Sequence, residues 1–267
     1  MLAWDLARSF EIHFPSATVV RAGRESVDIT REESVSRAIE QHRPDWVCNA
    51  AAYTNVDGAE TETDAAFAVN AQGPEVLTHI CAKAGARIFH FGTDQVFDGK
   101  ARTPRREDDP VHPLNQYARS KYAGETAVLK HAGNLVLRVQ WLYGERKDRF
   151  TPLRTKTTFS PFSDQYGAPT WTREIAQTVS KLMEKQAAGL FHFAYDDFAS
   201  WAEVFTFVKE QWHLPLVLEP KETASIRLPA ARPLFSVLSN EKLKNALGVA
   251  AMGSWKTPLG EFLRLPR

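Results

Sequence analysis

Helical and extended patterns alternate along the first half of this chain, and that alternation constrains the fold more than any single motif. Leu2, Leu6, Phe10 and Phe14 recur every four residues, which predicts an amphipathic helix over 1–14 closed by Pro15 and Ser16. The β-branched run from Ala17 to Ala22 predicts a short strand. Thr30 and Glu33 have the spacing of a capping box for a helix over 31–42. After Pro44 come a strand at Trp46–Asn49, an Ala-rich helical region over 63–84, a strand over 87–91, a helix over 115–132 and a strand over 135–139. A helix between each pair of strands predicts an α/β fold with a parallel, doubly wound sheet and helices on both faces. The order begins on a helix, where such a sheet has a strand and a Gly-rich turn that holds a pyrophosphate at a helix N-terminus. The expectation is a chain truncated at its N-terminus, with a rearranged sheet as the alternative. A central strand missing from the sheet leaves unpaired backbone groups on both of its neighbours.

The second half is patterned differently. A charged and Pro-containing stretch over 145–163 leads to the polar turn Asp164–Thr170 and a helix over 172–187. A strand over 190–193 and a helix over 200–212 follow, the latter with Trp201, Phe205, Val208 and Trp212 on one face, an aromatic stripe that reads as core. Leu216–Leu218 reads as a strand, Ser239 as the cap of a helix reaching 247, and 256–263 as a last helix.

Composition removes several classes of function. The 267 residues carry a formal net charge of +1 without a long Lys/Arg run, so no nucleic acid or anionic membrane surface is expected as a partner. No stretch approaches the roughly 20 apolar residues of a membrane span, and the start has no basic signal region, so a cytoplasmic location is expected. Cys48 and Cys81 lie in apolar segments and read as buried free thiols. The eight histidines show no metal-ligand spacing, and no metal is assigned.

Chemistry is concentrated between Thr93 and Lys121. Tyr117 and Lys121 are four apart and share a helix face. An ammonium beside a phenol favours the phenolate and lowers the tyrosine pKa from about 10, which makes Tyr117 a proton donor or acceptor near neutral pH. The apolar run 87–91 ends at Gly92, Thr93 and Asp94, and polar residues at the carboxyl end of a parallel strand sit where open α/β sheets bind ligands. An exposed surface pair is the plain alternative for Tyr117 and Lys121.

Five motifs in order resemble one family: Asn49-Ala-Ala-Ala-Tyr-Thr-x-Val-Asp57, Thr93-Asp94-x-Val-Phe-Asp98-Gly99, Tyr117-x-x-x-Lys121, Trp141-x-Tyr-Gly144 and Asp164-Gln-x-Gly-Ala-Pro-Thr170. The set is similar to the dTDP-4-dehydrorhamnose reductases, extended short-chain dehydrogenases/reductases that act on nucleotide sugars. The resemblance implies a Rossmann-like cofactor domain over 1–150 and, over 151–267, mainly a substrate lobe with segments returning to the first domain. It implies NADPH-dependent reduction of the C4 keto group of a nucleotide-linked deoxysugar, with dTDP-4-dehydro-L-rhamnose as the leading substrate and NADH as the other cofactor. Tyr117 is then the general acid, Lys121 holds the nicotinamide ribose, and Thr93 bonds the reacting oxygen. Thr93, Asp94 and Trp141 contact substrate. Asp28 and Ile29 meet the adenine, and Ala52, Tyr53 and Thr54 line the cofactor. Arg21 or Arg24 pairs with an adenosine 2′-phosphate. A homodimer is implied, and in some members a magnesium ion lies between subunits; Asp5 and Glu261 are the nearest counterparts here, and Mg2+ is not supported by the sequence.

Departures from the family pattern accompany the matches. Gly92 stands where a serine is usual, Gln95 where an aromatic is usual, and Gln140 replaces a small hydroxyl residue. Phe235 replaces an asparagine near the ligand phosphates, and an apolar ring supplies none of its hydrogen bonds. Two other readings stay open: an epimerase or dehydratase that keeps its NAD, and a non-catalytic nucleotide-sugar or NADP-binding regulatory subunit.

Overall fold

The computed structural model describes residues 1–266. α1 (Leu2–His13) precedes α2 (Glu32–His42), and four parallel strands then follow in chain order across one sheet. They are β1 (Trp46–Asn49), β2 (Arg87–Thr93), β3 (Leu135–Val139) and a fourth, Gly189–His192. The registers Asn49 to His90, Thr93 to Val139 and Arg138 to His192 align the carboxyl ends along one edge of the molecule.

Period-two alternation sorts side chains between the two faces. Phe89, Phe91, Leu135 and Leu137 face α1 and α6 (Thr172–Glu184), packing with Leu6, Ile175 and Val179. Ile88 and Val136 face the other way, against Val35 and Ile39 of α2, Leu77 and Ile80 of α4 (Gly73–Ala84) and Val128 of α5 (Gln116–Leu129). Helices thus cover both faces, as alternation in the sequence requires. The long helical region over 63–84 divides into α3 (Thr63–Phe67), one wide π turn at Ala68–Gln72, and α4 with Pro74 in its first turn.

The segment from Ala17 to Ala22 is a correction to the sequence reading. It belongs to no described strand and is largely exposed, and β1 pairs with β2 alone. β-branched composition makes a strand only where a neighbour supplies the ladder, and none stands beside this run. The capping box at Thr30 also fails. Asp28 Oδ1 accepts from the Thr30 N–H at 3.0 Å and from its hydroxyl at 2.7 Å, so Thr30 is spent on an Asx turn and α2 opens with Arg31 at its N-cap. A true capping box forms elsewhere, between Ser200 and Glu203 at the start of α7 (Trp201–Gln211). α8 (Glu241–Leu247) begins after Asn240, with the Ser239 hydroxyl accepting from the Glu241 N–H at 3.4 Å, and α9 (Lys256–Leu263) closes the fold.

Candidate active site

The site lies where β2 and α5 meet. β2 ends in Thr93, and a single 3₁₀ turn follows at Asp94–Val96. α5 starts at Gln116 because the Asn115 side chain accepts the Ala118 N–H at 2.8 Å. Its first two turns carry Tyr117 and Lys121 inward over the strand end.

Tyr117 hydrogen-bonds Thr93, and the negative charge of Asp94 faces it. Burial is the largest influence and pushes the Tyr117 phenol up to about 12, with Asp94 adding to the rise and the Thr93 hydrogen bond opposing it. The depression expected from the lysine is therefore not found: desolvation of a phenolate outweighs an ammonium one helical turn away. Burial acts on Lys121 instead and pushes it down to about 8, while Glu125 on the next turn holds it up. Tyr117 is thus a neutral acid at pH 7, with a proton to give.

Behind Lys121 lies a buried charged group that the sequence motifs did not show. Arg138, in the middle of β3, donates from Nε and Nη2 to Glu125 at 3.0 and 2.6 Å, and Nη1 lies 3.2 Å from His192. Both members of the pair are almost fully buried. Gly92 makes room for them: a β-carbon there would lie 2.6 Å from Glu125 Oε2 and 2.7 Å from Arg138 Cγ. Glu125 was readable as the residue four beyond Lys121 on the same face, and Arg138 as the one charge inside an apolar strand.

The remaining candidates are placed as follows. Ala52, Tyr53 and Thr54 form a coil directly beyond the carboxyl end of β1. Asn70, from the π turn, exchanges hydrogen bonds with the Tyr53 backbone at 2.9 and 3.0 Å and donates to Ser120 of α5 at 3.0 Å, so it ties that coil to α5. Asn70 went unnoticed in the sequence, since nothing marks one Asn in an Ala-rich helix as inward. Asp28 and Ile29 lie in the turn before α2; Ile29 packs against Gly73, and Asp28 is held as a carboxylate first by the Thr30 hydroxyl, with Arg24 and Arg31 nearby. Arg21 is committed to Glu11 at 2.5 Å, which leaves Arg24 as the candidate for a 2′-phosphate. Trp141 lies two residues beyond β3 with a φ of 45°, a costly conformation for a non-glycine residue that is enriched at functional sites. Its half-buried ring stacks on Trp201 at 3.8 Å. Asp164 caps Thr223 and has a structural task.

A returning segment closes the site. Ala230 N–H and Arg232 bind Asp57 at 3.2 and 2.9 Å, and Asn115 donates to the Ala231 carbonyl at 2.8 Å. Gly99, with φ of 72°, lets Pro233 and Leu234 approach; a β-carbon would sit 2.5 Å from the Leu234 nitrogen. Ser236 Oγ donates to Asp94 Oδ2 at 2.5 Å, and Arg105 exchanges backbone hydrogen bonds with Val237 and Ser239.

The donors a nicotinamide dinucleotide needs are present in Tyr117, Lys121 and Thr93, where β2 ends and α5 begins, and in Asp28 and Arg24 of the segment before α2. The two nearest counterparts of a magnesium site are engaged within the chain. The Asp5 carboxylate accepts from Thr172 at 2.5 Å, Glu261 faces Arg173 at 3.7 Å, and no group of three His, Cys, Asp or Glu among the described residues is arranged to hold a metal. Nor is any helix among them long and apolar enough to cross a membrane.

Parallel sheet, helices on both faces and a Thr–Tyr–Lys group at the carboxyl end of a central strand define a short-chain dehydrogenase/reductase fold. The family model described as "RmlD substrate binding domain" matches residues 1–266. The chain belongs to that family, the dTDP-4-dehydrorhamnose reductases. It is 35% identical to a dTDP-4-dehydrorhamnose reductase of Burkholderia thailandensis, over 98% of this chain and 95% of the relative. Among solved structures, a dTDP-4-dehydrorhamnose reductase of Clostridium acetobutylicum superposes with a TM-score of 0.92 at 29% identity, covering 98% of this chain and 94% of that one. A dTDP-4-dehydrorhamnose reductase of Bacillus anthracis in complex with NADP superposes at 0.88, with 27% identity and 95% and 94% coverage.

Proposed function

We propose that this protein reduces the C4 keto group of a dTDP-linked deoxysugar with NADPH, with dTDP-4-dehydro-L-rhamnose as the first substrate to try. The observation that carries the reading is the Tyr117–Thr93 hydroxyl contact above the buried Lys121, at the carboxyl end of β2. NADPH, when bound, supplies the hydride. Lys121 hydrogen-bonds the nicotinamide ribose and keeps positive charge near the phenol. Thr93 orients the carbonyl oxygen, and Tyr117 gives it a proton as the alkoxide forms. Raised phenol acidity is unnecessary for that role: the alkoxide developing on the substrate is the stronger base. Asp94 and Trp141 hold the sugar nucleotide. Ala52, Tyr53 and Thr54 flank the cofactor, Asp28 and Ile29 its adenosine, and Arg24 favours a 2′-phosphate and hence NADPH over NADH.

Tyr117→Phe removes one hydroxyl and keeps the packing. The expected outcome is turnover at least 10²-fold lower, with NADPH binding retained. Turnover by that variant at the parent rate removes Tyr117 from the mechanism. One observation favours a second reading, a nucleotide-sugar-binding subunit without turnover: the outer edge of β1 is unpaired among the described residues. Stable association with a second enzyme, together with no turnover of any sugar nucleotide by the parent, selects that reading.

A further inference from the structure

Asp94 is held from both sides of the molecule. Its Oδ1 accepts from the Thr93 hydroxyl at 3.2 Å, within the same strand end. Its Oδ2 accepts from Ser236, which is 142 positions further along the chain. Both Asp94 and Ser236 are 3% exposed. Ser236 is itself fixed, since its N–H donates to the Tyr166 carbonyl at 3.1 Å and the Tyr166 N–H donates to Leu234 at 2.7 Å.

We propose that Ser236 is a positioning residue for the proton-transfer site: by donating to Asp94, it holds that carboxylate in place beside Thr93 and Tyr117. The inference rests on the reductase reading given above. A threonine hydroxyl has one proton and two lone pairs. Here the proton goes to Asp94, and one lone pair takes the Gln95 N–H at 3.3 Å. Without substrate, Ser236 and Thr93 thus both spend their protons on Asp94, whose charge faces Tyr117. With substrate bound, the Thr93 hydroxyl turns to the carbonyl oxygen while Ser236 keeps Asp94 in place, and Tyr117 gives its proton to that oxygen. Protonation of Asp94 removes its charge and makes one of its two oxygens a donor, so it no longer accepts equally from Ser236 and Thr93, and the row loosens.

Burial pushes the Asp94 carboxyl up to about 6, and the bonds from Ser236 and Thr93 restrain the rise. The other charges on the elements packed around it are engaged: Lys121 faces Glu125, Arg138 binds Glu125, Arg232 binds Asp57, and Arg105 lies 3.8 Å from Asp109. Buried His90 stays neutral below its usual range, and Tyr117 is the titratable group that feels Asp94 directly. Ser236→Ala removes one hydrogen bond to the carboxylate, so the Asp94 pKa rises and the ionised form is lost at higher pH.

The test is the pH profile of kcat/KM for parent, Ser236→Ala and Ser236→Thr. The acid limb of Ser236→Ala is expected about one pH unit above that of the parent, giving a rate about threefold lower at pH 6.5 and nearly equal to the parent at pH 9. Ser236→Thr keeps the hydroxyl and restores the parent limb. A rate lowered by the same factor at every pH, or an unmoved limb, overturns the proposal. ¹³C-carboxyl NMR of aspartate-labelled protein, with the Asp94 signal assigned by Asp94→Asn, reads the same shift without turnover. If the parent reduces no sugar nucleotide, the functional reading has failed, and the NMR titration still decides the role of Ser236: an Asp94 pKa equal in parent and Ser236→Ala refutes it.

Discussion

Arg138→Met strands a buried carboxylate, and the size of the loss can be worked from the contacts. Glu125 receives two charge-assisted hydrogen bonds from Arg138, at 3.0 and 2.6 Å, and is 1% exposed. Breaking a buried ion pair from one side costs about 3–5 kcal/mol, because the remaining charge keeps its desolvation penalty and loses its partner. Methionine fills much of the arginine stem, so little of the loss comes from a cavity. For a chain of this size each kcal/mol lowers Tm by about 2–4 °C, which gives a fall of at least about 6 °C. The double variant Glu125→Leu with Arg138→Met removes both charges and is expected to recover most of the loss, since apolar residues of similar volume replace buried pairs at little or no cost. Denaturant unfolding of the four proteins in the cycle measures the coupling. A single variant that loses under 1 kcal/mol, or a double variant no better than the single, refutes the account of the pair as a buried charge couple. Arg138 carries a second consequence: without it, Glu125 is free to compensate Lys121, and the lysine pKa is expected to rise from about 8.

Two further outcomes follow from the same region. Lys121 has its pKa depressed by burial, so its charged form is disfavoured in the folded state. The penalty is full below about pH 8 and fades as pH rises toward the unfolded value of about 10.4. Lys121→Met is therefore expected to be inactive yet more stable than the parent at pH 7, with the difference shrinking between pH 8 and 10; a difference that does not change with pH over that interval counts against a desolvated ammonium. Gly92→Ser, the residue usual in the family, is expected to destabilise by about 1–3 kcal/mol in thermal or denaturant unfolding, because its β-carbon meets Glu125 and Arg138 at under 3 Å; unchanged stability shows that the pair can shift aside.

The order of elements was legible because apolar spacing changes from two to about four at each boundary, and this depends on local sequence alone. Tyr117, Lys121 and Thr93 were legible through motif spacing, and the structure does bring them together. What failed depends on neighbours that local sequence does not name. Ala17–Ala22 has strand composition and no ladder beside it. Thr30 has a cap's spacing, and Asp28, two residues earlier, binds it first. The Tyr117 pKa was read from the charge beside it, when the depth of burial decides its direction. Ser236, Asn70 and the Glu125–Arg138 pair act across gaps of 142, 50 and 13 residues, and long gaps of this kind leave no periodic trace.

The returning segment also orders events in time. During synthesis β1, β2 and β3 can pair as soon as residue 139 is available, and α5 between them is then complete. Asp94 at that stage still lacks the hydroxyl of Ser236, and Asp57 and Asn115 lack Ala230, Ala231 and Arg232. At about 5–20 residues per second the ribosome needs on the order of ten seconds to deliver the missing stretch. The nascent chain therefore carries Tyr117, Lys121 and Thr93 well before Ser236 reaches Asp94, and these contacts close among the last steps of its birth.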